Sequence, residues 1–359
     1  MGFSENTLKN IKKSDKEVLD ISYLDMSDEK EINKLVNVLN KNKKIKALNL
    51  YQCSIDDKGA ESLSKLQNVT HLNLFGNNIG SKGTEYLAKN KNYVGLNLGS
   101  NEIGIKGAMA LAENENLEEL ILNQCQLGNA GAKVILNTKN KSLKTLDLST
   151  NDIGDDGIVN ILEKNTTLEE LNLLQNSIGN NGAIAIANNF LGLLSLDFGT
   201  NLIDDKGAKA LSLHPKLEVL DLSQNQISEQ GFKALCSKEK MQKLYLFGNK
   251  IKFTTKDLLP PNDSITELNL SFNEIEDNPK EPLESIISFK NLKGLILDAN
   301  NISDGMAESL YEKIVSKPAI EAVDLRSKNK PLLFSYKRKR IESITDESLD
   351  TKIMKLSSY

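Results

Sequence analysis

The feature that most constrains this chain is a repeat. Segments such as VTHLNLFGNNI, LEELNLLQNSI and MQKLYLFGNKI are variants of one pattern. Aligning the leucine that opens each LxL pair gives anchors at Leu48, Leu72, Leu96, Leu120, Leu146, Leu171, Leu196, Leu220, Leu244, Leu268 and Leu295. A weak copy at Leu19 and a degraded one at Val323 extend the series to thirteen, with intervals between 24 and 29 residues. Fixed periods of this length belong to stacked arrays, in which one unit cannot bury its own apolar row and neighbours close the core. The two or three domains that 359 residues would otherwise suggest give way to that reading.

Within each copy the two leucines are two residues apart and project to one side of a strand. An Asn follows at 77, 101, 151, 176, 201, 225, 249, 273 and 300, where the chain must leave the strand and turn inward. A short amide there can satisfy backbone groups that would otherwise be buried unpaired. Then comes Ile, and a Gly at 59, 83, 107, 131, 157, 182, 207 or 231, followed in most copies by Ala and then Leu at helical spacing. That predicts outer helices of two to three turns, with Gly and Ala allowing close packing on the next unit. After Ile251 and Ile275 the pattern gives way to KFTTKDLLPPND and EDNPKEPLESIISFKN, whose prolines predict shortened or broken helices.

The pattern LxxLxLxxNxI followed by GxxGAxxLA resembles the leucine-rich-repeat family in its ribonuclease-inhibitor-like subtype, over residues 17–330. The resemblance implies an α/β solenoid of about thirteen repeats, a horseshoe with a concave parallel sheet and convex helices. Cys53 and Cys125 occupy the Asn slot in two copies, as the family pattern permits. The expected organisation is an N-terminal capping region at 1–44 with a degenerate first repeat, the array at 45–330, and a polybasic and acidic tail at 331–359.

Several function classes are excluded by composition and motif. A net charge of −4 argues against a nucleic-acid binder, which needs a basic face. No apolar run reaches the ~18–20 residues of a membrane span, and MGFSENTLKNIKKSDK lacks the apolar stretch of a secretory signal. Three cysteines, at 53, 125 and 236, are odd in number and far apart, which suits a reducing, cytoplasmic compartment. Of two histidines, His71 is expected on a strand facing the concave surface and has no partner spaced for catalysis or metal binding, and neither has His214. Cys236 reads as a buried structural thiol. No phosphate loop, dinucleotide fingerprint or nucleophile elbow occurs, so no enzyme, cofactor or metal site is expected.

The residues beside each anchor are expected to line the concave face, at −2, −1, +1, +3 and +4. These columns hold five of the chain's 18 Phe and Tyr residues, grouped toward the ends: Tyr51 with Phe75, and Tyr245 with Phe247 and Phe272. Between them stand Glu118, Glu119, Asp147, Glu169, Glu170, Asp197, Glu218 and Asp221, opposed in the same stretch by Lys144 alone. Exposed aromatics flanking charge describe a site for a protein partner with a basic, partly apolar surface. A shielding role for the rings, and plain solvation for the acids, is the alternative. The chain is expected to be a monomer.

The tail PLLFSYKRKRIESITDESLDTKIMKLSSY carries the run Lys337, Arg338, Lys339 and Arg340, either a nuclear-localisation signal or a solvated cap. Its polar, acidic end is similar to the C-terminal signals of type IV secreted effectors. With 42 Lys, 3 Arg and 41 Asn, the chain resembles the leucine-rich-repeat effectors of Legionella. That resemblance implies synthesis in a bacterial cytoplasm and translocation into a host cell. A resident cytosolic scaffold or inhibitor of the ribonuclease-inhibitor type is the second reading.

Overall fold

Each anchor leucine becomes the centre of a three-residue strand. The computed structural model describes residues 4–159, 161, 163–317, 320–325 and 335–336. The tail run 337–340 and the acidic end beyond it lie outside the described residues. Two compact units are present: the first holds the residues up to Glu163 together with Thr167–Asn172, the second Lys164–Thr166 and the residues from Leu173 on.

In the first unit the strands are β1 (Val18–Asp20), β2 (Ala47–Asn49), β3 (His71–Asn73), β4 (Gly95–Asn97), β5 (Glu119–Ile121), β6 (Thr145–Asp147) and β7 (Glu170–Asn172). They pair in parallel with anchor opposite anchor: Leu19 on Leu48, Leu48 on Leu72, and so on to Leu146 on Leu171. Its helices are α1 (Glu5–Lys13), α2 (Glu29–Leu39), α3 (Asp57–Leu63), α4 (Ser81–Lys89), α5 (Gly104–Ala112) and α6 (Gly128–Leu136). Asn42 Nδ2 ties α1 to the array by donating to the carbonyls of Ile11 and Ser14.

The second unit contains α7 (Asn180–Asn189), β8 (Ser195–Asp197), α8 (Asp205–Ser212), β9 (Val219–Asp221), α9 (Glu229–Cys236), β10 (Lys243–Tyr245) and β11 (Glu267–Asn269). Then follow α10 (Glu281–Ser288), β12 (Gly294–Ile296), α11 (Asp304–Val315), β13 (Ala322–Asp324) and β14 (Ser335–Tyr336). Leu196, Leu220, Leu244, Leu268, Leu295 and Val323 stand in one parallel register. β14 pairs antiparallel to β13, Val323 opposite Tyr336, an end strand that the repeat pattern did not signal.

In both units the anchor leucines and the leucines or phenylalanine at +2 are buried between sheet and helices, none more than 2 % exposed from Leu48 to Leu297. Burying a leucine is worth about 1.5–3 kcal/mol, so this double row is the main stabilising element of each unit. The fold of the chain is the α/β leucine-rich-repeat solenoid.

The glycines at the helix starts have a specific cause. Asp57 Oδ1, in the first turn of α3, accepts from the N–H groups of Gly80 and Gly83 at the start of α4. Asp205 and Asn180 serve the following helices in the same way. A Cβ at Gly83 would lie 2.6 Å from Asp57 Oδ1 and 2.9 Å from Asp57 Cα, so the cap and a side chain cannot share the space.

The helix face departs from expectation in two places. After Ile251 there is no helix, as the Pro260-Pro261 pair requires. After Ile275, however, α10 forms over eight residues, because Pro282 falls in its first turn, where a missing N–H costs nothing. Around Gly157, where the spacing predicted a helix, the described residues form a 3-10 turn at Asp155–Gly157.

Candidate functional site

The open face of each sheet is built by strand alternation, and its three inner columns play different parts. Ladder bonds run from the +2 N–H to the next repeat's +1 carbonyl and from the +4 N–H to the next +3 carbonyl: Leu50 to Asn73, Gln52 to Phe75. The +3 N–H is left out of that ladder. The side chain at +1 accepts it: Asn49 from Tyr51 at 3.2 Å, Asn73 from Phe75 and Asn97 from Gly99 at 3.0 Å, Asp147 from Ser149 at 2.8 Å. The second unit repeats the bond at Asp197, Asp221 and Asn269.

This gives three of the eight candidate acids a backbone task. Asp147 is 1 % exposed and also accepts from Asn172 Nδ2 at 3.2 Å, so it is buried in the face rather than displayed on it. Asp221 is sequestered enough that burial raises its carboxyl pKa, outweighing the hydrogen bonds from Ser223 that lower it. Asp197 and Asp221 both approach Gly199.

The remaining acids are glutamates at −2 and −1. On the first unit Glu118, Glu119 and Glu170 are half-buried and Glu169 is exposed. Lys144 Nζ pairs with Glu118 at 2.8 Å, which raises the lysine's pKa through that hydrogen bond and charge. On the second unit Glu218 accepts from Gln242 Nε2 at 2.8 Å. The acidic character of the open face is thus concentrated on β5 to β7.

The aromatic groups form as well. Tyr51 and Phe75 stack with ring centroids 5.1 Å apart and planes 3° from parallel. Tyr23 adds an edge-on contact to Tyr51 at 5.2 Å, a third ring that the repeat columns as aligned did not include. Extending the +4 column back to the weak copy at Leu19 brings it in. In the second unit Phe247 and Phe272 lie 5.0 Å apart, and Tyr245 Oη donates to Glu267 Oε2 at 2.9 Å.

The +4 column has a backbone signature. From Tyr23 through Gln52, Gly76, Ser100, Gln124, Thr150, Gln175, Thr200, Gln224, Gly248 and Phe272 to Ala299, every residue has φ between +51° and +68°. Side chains there are Gln, Ser, Thr, Ala or none, except Tyr23 and Phe272. These two are 70 % and 54 % exposed, and each touches the +3 aromatic of an adjacent repeat. A bulky residue in this region costs of order 1–3 kcal/mol, and strain of that kind clusters at functional sites.

His71 lies on the open face of β3 with Nδ1 3.0 Å from Thr70 Oγ1. Burial lowers its pKa, and the charge of Glu118 opposes that effect. His214 is not on this face. It is 2 % exposed, at the loop edge of the second unit, with Nε2 2.8 Å from the Phe190 carbonyl. Cys53, Cys125 and Cys236 are free and buried, the Cys125 thiol pushed up to about 12 by burial, which makes them packing groups. Among the described residues no three His, Cys, Asp or Glu side chains gather as metal ligands, and no helix is long and apolar enough to cross a membrane.

A stacked array with an in-register leucine core, an asparagine at each strand exit and an open sheet face defines a class of repeat protein built to present a surface. A leucine-rich-repeat family profile matches nine stretches: 41–64, 65–88, 96–112, 113–136, 139–162, 164–187, 193–212, 214–236 and 262–278. They cover more than half of the chain, which belongs to the leucine-rich-repeat family. No curated protein sequence matches it. Among solved structures it is similar to an internalin (inlF) of Listeria monocytogenes, with TM-score 0.61, 22% identity and 89% of each chain covered. A leucine-rich-repeat protein of Leptospira interrogans is similar at TM-score 0.58, with 23% identity over 90% of this chain and 93% of the other. Both likenesses concern the fold.

Proposed function

We propose that this chain is a non-enzymatic protein-binding module that engages its partner through the open sheet faces of its units. Phe272 carries the reading. The fold makes the same left-handed rung with Gln at 52, 124, 175 and 224 and with Gly at 76 and 248. An aromatic there is strained and exposed, and it gains only one ring contact. A cost that structure does not require is what a binding anchor would leave on a free surface.

The partner in this reading has an apolar patch for Phe247 and Phe272 on the second unit and basic groups for Glu119, Glu169 and Glu170 on the first. The effector role belongs here too. It is supported by the Lys- and Asn-rich composition and by the resemblance to Legionella effectors of the ribonuclease-inhibitor-like subtype, with a host protein as partner.

The test is capture from host-cell lysate with the full chain, comparing wild type with Phe272→Gln and with Phe247→Ala. The expected result is a captured protein lost by at least tenfold in both variants, with no loss of Tm. A large drop in Tm would assign the rings to the fold, and unchanged capture would remove them from the interface. Capture that does not weaken between 50 and 500 mM salt would remove the glutamates. For the effector role, full-length chain is compared with a truncation before Ile341 in a translocation assay; equal export refutes a tail signal.

A further inference from the structure

The +1 caps have a consequence on the first unit. Because Asn73 Oδ1 and Asn97 Oδ1 each accept a backbone N–H, the orientation of both carboxamides is fixed. Their Nδ2 groups therefore face outward, and no hydrogen bond engages either one among the described residues. Asn49, the next rung, differs: its Nδ2 donates to Asp20 at 3.0 Å.

These two amides border a recess of about 40 Å³ that runs from Val18 on β1 to Glu119 on β5, between the −1 and +1 columns. The recess exists because the −1 column is small beside His71: Ala47 on one side and Gly95 on the other. The imidazole lies across Gly95, with Cδ2 only 2.5 Å from where a Cβ would stand. Glu119 closes the far end. That is above the ~10–15 Å³ a single water needs, so a small polar group can enter.

The lining selects by chemistry. Two outward amide donors repel an ammonium or guanidinium, which has donors only. Glu119, with Glu118 near His71, disfavours a carboxylate. What satisfies both ends is a neutral group with an acceptor and a donor on adjacent atoms. We propose that this recess is a subsite for a backbone amide of an extended peptide segment, whose carbonyl accepts from Asn73 and Asn97 and whose N–H is directed toward Glu119. The proposal deepens the protein-binding reading above and rests on it, giving the partner an unstructured stretch that enters the first unit.

The test needs no partner, so its failure is separate from a failure of the Phe272 experiment. The chain has two histidines, so two imidazole Cε1–H signals are followed: His71 reports on the recess, and His214, in the other unit, serves as the internal control. The probe is acetyl-Ala-Ala-methylamide, compared with methylammonium, a cation without an amide, and with acetate, each titrated to 100 mM. The expected result is a saturable shift of the His71 signal with the neutral probe alone.

Two variants follow. Asn97→Asp keeps the acceptor for Gly99 N–H, as Asp147 does for Ser149, and replaces the outward donor with an acceptor. It is expected to weaken the neutral probe at least tenfold while the His214 signal stays that of the folded wild type. Gly95→Val, which displaces the imidazole, is expected to abolish the shift. Saturation by methylammonium instead, equal response of Asn97→Asp, or no saturable shift from the neutral probe would each overturn the proposal.

Discussion

His214 Nε2 lies 2.8 Å from the carbonyl oxygen of Phe190, one repeat earlier, in the slot six residues before the anchor that Asn fills at 42, 90, 114, 140, 165 and 262. Asn90 and Asn262 use Nδ2 to donate to earlier carbonyls and Oδ1 to accept a loop N–H. His214 reproduces both halves: Nδ1 accepts from Leu217 N–H at 3.1 Å and Lys216 N–H at 3.3 Å, so the proton sits on Nε2. The imidazole must be neutral to do this. Burial lowers its pKa, the Phe190 carbonyl opposes that effect, and the nearby Lys238 and Lys216 charges add to the lowering.

The unfolded chain therefore binds this proton more readily than the folded one, so stability rises with pH up to about 6.5 and is lost as pH falls below it. A tenfold difference in proton affinity between the two states is worth about 1.4 kcal/mol. His214→Asn should fold, as the other repeats do, and lose less Tm than wild type between pH 7.5 and pH 5. His71, whose pKa is also lowered by burial, supplies part of the slope that remains. An identical Tm-against-pH curve for the variant would show that His214 is not the sensitive group.

Asp221 works in the opposite direction. Burial raises its folded pKa, so the native state holds that proton more tightly, and stability falls as pH climbs from about 4 through the folded value. At pH 7 the ionised carboxylate is a cost. Asn occupies the same +1 position at 49, 73, 97, 172 and 269 and keeps the acceptor that the +3 N–H needs. Asp221→Asn should gain stability at pH 7, read as a higher Tm, and gain nothing at pH 4. A loss at pH 7 would mean that the charge is compensated by contacts beyond Ser223.

What could be read from the sequence divides along these residues. The period, the buried leucine pair and the exit asparagines were legible because a stacked array repeats one local solution many times. Tyr51 against Phe75 was legible for the same reason: equal offsets in adjacent copies put rings one strand spacing apart. The task of the +1 column was not, because Asn or Asp on an open sheet face looks the same whether it meets solvent or turns to cap an N–H two residues on. Asp147 is the clearest case, predicted on the surface and found 1 % exposed. The left-handed +4 rung was hidden too, since Gln and Phe carry no positive-φ signal in a sequence.

Gly83 makes the dependence of one helix on the previous one testable. Gly83→Ala pushes a Cβ against Asp57, whose carboxylate holds the start of α4. The expected loss is about 2 kcal/mol, and Asp57→Ala should cost about 1–2 kcal/mol by removing the cap. Because both act on one contact, the double variant should fall short of the sum by at least ~0.5 kcal/mol. Strict additivity in denaturant melts would separate the glycine from the cap.

The exit asparagines allow a graded test at position 249. Asn249 Nδ2 donates to the carbonyls of Leu222 at 2.8 Å, Leu246 at 3.1 Å and Phe247 at 3.4 Å, while Oδ1 accepts from Ile227 N–H at 2.9 Å. Asn249→Ala leaves all four backbone groups without this partner in a buried place, which should cost about 2–4 kcal/mol. Cysteine is used at this slot at 53 and 125, where Sγ donates to the carbonyls of Ile21 at 3.4 Å and Leu98 at 3.3 Å. A thiol can thus replace the donor side of the amide but offers only a weak acceptor to the N–H. Asn249→Cys should therefore fall between wild type and Asn249→Ala in denaturant midpoint. If the Cys and Ala variants were equally destabilised, the thiols at 53 and 125 would be held by neighbours that repeat 249 lacks, and the carbonyl contacts would lose their claim to explain the substitution.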